Sequence, residues 1–303
     1  MNRRKFVKLA TAAPMLCIPS LWATNAPKEI AFTFDDPKTD TVANLPCQEI
    51  NQRMLATLDK RKLKAVLYVV GKRIDSPEGK QIVSSWDRAG HDIGNHSYSH
   101  FNFNGDTTLA EFEADFTRNE PLIRDYEHFV PLFRFPFFKE GNTAGKRDGM
   151  RAFLKQHGYR SGRATIDASD WAIDDRLNAR KKEPTAYRDF YLQHIWERAQ
   201  FYDSLAQRLL NRPVRHTVLL HHSALNALFL DDVIAMFIAK GWKPIDAKWA
   251  YADPIYDRQP RTLPAGEGLI WALAKESGKF EKELRYPAED DVYENPKMDA
   301  LGL

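Results

Sequence analysis

The chain has 303 residues, 28% charged and 43% hydrophobic, with two cysteines and a formal charge of +3. That composition builds a packed core and excludes a low-complexity or disulfide-stapled chain. Four basic residues (Arg3, Arg4, Lys5, Lys8) and no acidic ones fall in the first 26, so the remainder carries about −1 and nothing favours nucleic acid or an anionic membrane as partner.

Residues 1–26 read as an export signal, with a basic start, a weakly apolar 9–22 segment and a small-residue exit at Thr24-Asn25-Ala26. The Arg3-Arg4 pair looks like a twin-arginine signal, with an ordinary secretory signal as the alternative. Pro14 and Pro19 interrupt the apolar segment, which argues against a membrane anchor. The expected location is therefore periplasmic or extracellular. Only Cys47 remains after the signal, so an exported protein folds here without an intramolecular disulfide.

Beyond the signal, strand-like and helix-like patterns alternate. Residues 29–34 read as a strand, 48–60 as a helix with Ile50, Met54, Leu55 and Leu58 on one face, and 65–70 as a strand. A helix at 79–89, a short strand at 91–95 and a helix at 109–126 follow. Next come a strand at 130–135, a helix at 146–156, a strand at 159–166 and a long helix over 185–210. A strand at 217–220, a helix at 230–239 stopped by Gly241, and a strand at 242–245 complete the pattern. Alternation of this kind predicts parallel βα units in one domain, residues 27–250. Residues 251–303, rich in proline, glycine and charge with a helical piece near 268–275, read as an extension packed on or near that domain, with no chemistry assigned.

Five polar clusters follow apolar runs: Thr33-Phe34-Asp35-Asp36, His96-Ser97-Tyr98-Ser99-His100, Arg134-Phe135-Pro136-Phe137, Asp167-Ala168-Ser169-Asp170-Trp171, and Leu219-Leu220-His221-His222. An α/β barrel places its chemistry at the C-terminal ends of its strands, which is where such clusters would stand. A lone Asp-Asp pair is weak evidence, since three more occur at Asp174-Asp175, Asp231-Asp232 and Asp290-Asp291. The strand before Asp35-Asp36 sets it apart: one carboxylate can bind a cation while the other stays free as a base. His96 and His100, four apart, would share one face on a turn of helix and suit a common metal. With Asp36 they make a two-imidazole, one-carboxylate set that leaves a position open for water. Arg134 at a strand end must find a carboxylate or stay exposed.

In these motifs the chain resembles the NodB-homology polysaccharide deacetylases of carbohydrate esterase family 4, from about residue 30 to 245. The family pattern is Thr-Phe-Asp-Asp, His-(Ser/Thr)-x-x-His, Arg-x-Pro-aromatic, Asp-x-x-Asp-Trp and Leu-x-His, and all five appear in order. The resemblance implies a distorted (β/α) barrel of about seven strands. It implies one divalent metal ion on Asp36, His96 and His100, with Zn2+ the first candidate and Co2+, Ni2+ or Mn2+ as alternatives. It further implies Asp35 as general base, Arg134 holding Asp35, the Phe137 N–H as oxyanion donor, His221 as general acid tuned by Asp170, and Trp171 and Leu219 walling the acetyl pocket.

The implied activity is hydrolysis of acetyl groups from an acetylated carbohydrate, an N-acetyl hexosamine polymer ahead of an O-acetylated polysaccharide. Another amide or cyclic amide is the alternative substrate, and a non-catalytic carbohydrate-binding homologue the alternative of another class. Three positions depart from the family pattern: Pro37 replaces the usual glycine after the aspartates, Phe137 the usual tyrosine, and His222 the usual aspartate after the acid. Strand neighbours point to opposite faces, so only one of His221 and His222 can face the barrel mouth.

Overall fold

A computed structural model describes residues 27–180, 182–286 and 288–303; the export-signal segment lies outside the described residues. In chain order the elements begin with β1 (Lys28–Asp35), α1 (Cys47–Arg61), β2 (Val66–Val69), α2 (Gly71–Ile74), α3 (Pro77–Arg88), β3 (Asp92–Asn95) and α4 (Leu109–Ile123). They continue with β4 (Phe129–Phe133), β5 (Lys139–Gly141), α5 (Ala144–Gln156), β6 (Arg160–Ser161), α6 (Asp170–Arg180), α7 (Thr185–Leu210) and β7 (Arg215–His221). The last are α8 (Ala224–Ala239), β8 (Trp242–Pro244), α9 (Ala247–Ala250), β9 (Ala265–Gly266), α10 (Leu269–Ser277) and α11 (Asp291–Ala300).

Seven of these strands form one parallel sheet in the order β6-β4-β3-β2-β1-β7, with β8 also paired to β1. One edge of β1 carries β7 from Glu29 to Asp35, and the other is shared between β8 along Lys28–Ile30 and β2 along Thr33–Asp35. The sheet curls into the distorted barrel that the motifs imply. The predicted strand 159–166 is divided in two: its start pairs with β4, while Ile166 bridges to Val218 of β7. Between them Gly162 donates to the Phe133 carbonyl at 2.7 Å. A single extended segment therefore spans the gap between the two edges instead of running along either, and this is how the curl nearly closes.

Alternation in β1 decides which side is core and which is site. Ile30, Phe32 and Phe34 point outward under the helices, where Phe32 meets Phe237 of α8 at 6.0 Å and Phe34 meets Trp86 of α3 at 5.5 Å between ring centroids. Each such side chain contributes roughly 1.5–3 kcal/mol by burial. Thr33 and Asp35 point into the barrel. Cys47, the one cysteine among the described residues, is a buried free thiol.

Two helices differ from expectation. Residues 170–180 are helical although their polarity shows no apolar stripe, and α8 starts at Ala224 rather than 230 because the Ser223 hydroxyl caps the Asn226 N–H. The extension is built in rather than appended. β9 pairs with β5, α10 packs in the main core through Ile270, Trp271 and Leu273, and α11 closes over α6.

Candidate active site

The C-terminal ends of the strands surround a cavity of about 570 Å³ lined by Asp35, Asp36, His96, His100, Phe137, Trp171, Leu219 and His221, among others. Register explains much of this. Asp35 sits opposite His221 across the β1–β7 ladder, and Thr33 sits opposite Leu219; residues in register on parallel strands share a face. His222 therefore points away from the cavity. It is buried between the Lys38 N–H and Asn51, near the Trp86 ring, and burial presses it down to about 3.

Alternation alone would send Asp36 to the outer face as well. It reaches the cavity because it leaves the strand with φ 60°, in the left-handed region, while its N–H still binds the Tyr68 carbonyl at 3.3 Å. Pro37 follows at once and fixes the chain as it leaves.

The predicted helical turn at 96–100 is absent. His96 to His100 form a loop with Ser97 and His100 at φ 64° and 60°, so the four-residue spacing works through a tight loop rather than a helix face. Side chains hold that loop in place. Asn95 Oδ1 accepts from Ser97 N–H, the Asp115 carboxylate from Tyr98 and Ser99 N–H, and Ser97 Oγ from His100 N–H, all at 2.9–3.1 Å. The two imidazoles end with ring centroids 5.0 Å apart.

Asp36, His96 and His100 each offer a ligand atom, and these atoms lie within 4.8 Å of one another. The fit to a cation rests on three further observations. Asp36 Oδ1 is buried with no hydrogen-bond partner, a costly state unless something positive meets it. His96 Nδ1 is engaged by the Arg134 carbonyl at 2.7 Å, leaving Nε2 for the site. Burial presses His96 and His100 down to about 4 against the opposing pull of Asp36, so both rings are neutral and able to ligate at pH 7. Asp36 lies near 2: burial pushes it upward, but His100, His96 and Arg73 outweigh that.

Asp35 has the opposite environment. Burial raises it to about 6, with Arg134 and His221 resisting and Asp36 assisting. Its Oδ1 is held by Arg134 at 2.6 Å, and its Oδ2 lies 3.5 Å from His96 Nε2. Arg134 is 1% exposed and fully engaged: it donates to the Gly162 carbonyl (2.7 Å), Thr33 Oγ1 (2.9 Å) and Tyr251 Oη (3.0 Å), with its guanidinium 4.0 Å from the Tyr68 ring centroid.

On the facing wall, His221 Nδ1 is 2.6 Å from Asp170 Oδ1, and Asp170 Oδ2 accepts from the His221 N–H at 2.8 Å. Burial opposes the His221 charge, but Asp170 overcomes it and lifts the ring to about 9. Phe137 has φ 53° and ψ 16°, its ring packs 4.5 Å from that of His100, and its N–H finds no acceptor among the described residues.

Residues 23–162 match the polysaccharide deacetylase family, a span that holds the first three clusters. Over that span, just under half of its length, the chain resembles the polysaccharide deacetylase family. A peptidoglycan-N-acetylglucosamine deacetylase of Bacillus cereus is 26% identical over 174 residues, 56% of this chain and 59% of that protein, so the match spans less than two thirds of the relative's length.

Among solved structures, a carbohydrate esterase family 4 pseudoenzyme from Bacillus anthracis aligns with TM-score 0.54 at 20% identity, covering 74% of this chain and 65% of that one. A peptidoglycan N-acetylglucosamine deacetylase in complex with a naphthalenyl N-oxidanyl-benzamide aligns with TM-score 0.53 at 18% identity, covering 73% and 87%. Both share the fold of this chain.

Several residues around the site gave no signal in the sequence. Tyr251, in the segment read as free of chemistry, hydrogen bonds to Tyr68 at 2.8 Å and to Arg134. Asn226 of α8 donates to Asp170 Oδ2 and to the His221 carbonyl. Gly162 leaves room for Tyr68, whose hydroxyl would lie 2.3 Å from a Cβ built there. Glu267, Glu289 and Asp290 of the extension also line the cavity, so the extension, to which the sequence assigns no chemistry, forms part of its wall.

Proposed function

We propose that the protein is a metal-dependent hydrolase that removes acetyl groups from an acetylated carbohydrate, with N-acetyl hexosamine polymers as the leading substrate class. The observation that carries the reading is the divergence of two adjacent buried carboxylates. Asp36 is ionised, with its Oδ1 unpartnered, beside two neutral imidazoles, while Asp35 is tethered by Arg134 and poised near 6.

A divalent cation held by Asp36, His96 and His100, with Zn2+ the first candidate, would polarise the acyl oxygen and acidify water. Asp35, largely ionised at pH 7, takes the proton of the attacking water at Oδ2, since Oδ1 is committed to Arg134. The Phe137 N–H is free to receive the developing oxyanion, a contribution typically worth ~10²-fold or more in rate. His221, protonated at neutral pH and oriented through Nδ1 by Asp170, gives its Nε2 proton to the departing amine. Trp171 and Leu219 wall the space for the methyl group.

Export to the periplasm or cell exterior is part of this proposal and rests on residues 1–26. The test is acetate release from N-acetylglucosamine oligomers, peptidoglycan fragments and O-acetyl xylan, with a cyclic amide as control. Release from the hexosamine substrates supports the reading. Turnover of the cyclic amide alone, or of nothing, would refute it.

A further inference from the structure

We infer, building on the hydrolase reading above, that the C-terminal extension forms a subsite for a hexosamine bearing a free, protonated amine next to the sugar being deacetylated, so that partly deacetylated chains are preferred substrates. The cavity is also lined by Asp167, Glu267, Glu289 and Asp290, three of them from the extension. Their counter-charges are unevenly supplied. Glu267 pairs with Lys139, and Glu289 with Arg198 at 2.7 Å and Arg285 at 2.6 Å. The other cations of the cavity are spent elsewhere, Lys38 on Asp174 and Arg73 on Asp36.

Asp167 and Asp290 have no basic partner among the described residues. Asp167 is only 9% exposed and meets just the Ser169 N–H within the chain. Burial pushes it up to about 8, with Glu289 and Glu267 adding to the rise and His221 resisting. Asp290 spends one oxygen on capping α11, at 3.3 Å from the Val292 N–H. A buried carboxyl facing a cavity without a counter-ion keeps its proton, and a cation placed beside it lets it ionise. In this cavity the cation fitting the chemistry is an ammonium, which the proposed reaction itself generates: hydrolysis of the amide C–N bond yields acetate and a protonated amine. Each product chain would then carry the group the wall binds. The same wall repels glycans that bear carboxylates.

The experiment measures kcat/KM for acetate release from a fully N-acetylated glucosamine oligomer, a partly deacetylated one of equal length, and a carboxylate-bearing peptidoglycan fragment, at 0.05 and 0.5 M salt. The partly deacetylated oligomer is expected to lead by about fivefold at low salt, the scale of one half-exposed ion pair, with the lead shrinking at high salt. Asp290→Asn, which retains a capping oxygen, and Asp167→Asn are each expected to reduce the lead. Calorimetry with a fully deacetylated oligomer should show weaker binding to both variants than to the native protein, and thermal melting confirms that each is folded. Acetate release with no preference, or with the peptidoglycan fragment leading, overturns the inference and leaves the hydrolase reading standing. No acetate from any substrate overturns both.

Discussion

Replacing Arg134 by Met removes the cation that allows Asp35 to be ionised inside the barrel. The two groups are 1% and 2% exposed and 2.6 Å apart, so the substitution leaves a buried carboxylate without its partner and also strips donors from Gly162, Thr33 and Tyr251. Breaking one side of a buried pair costs roughly 3–5 kcal/mol, or about 6–10 °C in melting temperature at roughly 2 °C per kcal/mol for a domain of this size. The pH dependence has a definite sign. Asp35 already lies near 6 with Arg134 present, and without it must rise further. A carboxyl raised on folding stabilises the folded state below its unfolded value and loses that contribution as pH rises through the folded one. The deficit of Arg134→Met should thus be largest near pH 8 and shrink towards pH 4. Urea unfolding at both pH values measures it, and Arg134→Met/Asp35→Asn should recover part of the loss. A deficit below about 1 kcal/mol, or one that grows on acidification, would refute the reasoning.

Asp35→Asn should lower acetate release by ~10²–10⁴-fold, the range of a general base, while His96→Ala should lose the metal itself; metal analysis separates them, and equal metal loss in both would assign Asp35 to the ligand set. For His221, held near 9 by Asp170, activity should fall as pH rises through the alkaline limb, and Asp170→Asn should move that limb to lower pH; an unmoved limb places the acid elsewhere. His221→Ala should slow amide substrates more than activated esters, because a poor leaving group needs its proton most. Equal slowing of both contradicts the assignment.

The strands and the five clusters were legible because β1 states its face in Ile30, Phe32 and Phe34, and because polar residues end each apolar run. Three features were not. The left-handed turns at Asp36, Ser97 and His100 bring side chains into the cavity that alternation or a helix face would place differently, and such turns at non-glycine residues have no reliable signature in sequence. The support for Arg134 and His221 comes from Tyr68 and Tyr251, which a sequence scan assigns to packing, and from Asn226, a lone polar residue in the first turns of a helix. The extension reads as irregular because its segments are short, yet β9 joins β5 and Glu267 to Asp290 reach the cavity only through tertiary packing.

The most direct test of the central claim is titration of chelator-treated protein with Zn2+ while acetate release from an N-acetylglucosamine oligomer is recorded. A single cation bound by Asp36, His96 and His100 predicts no release at zero metal, a linear rise, and a plateau at one equivalent. Full activity in the metal-free sample, or a plateau at two equivalents, would contradict it.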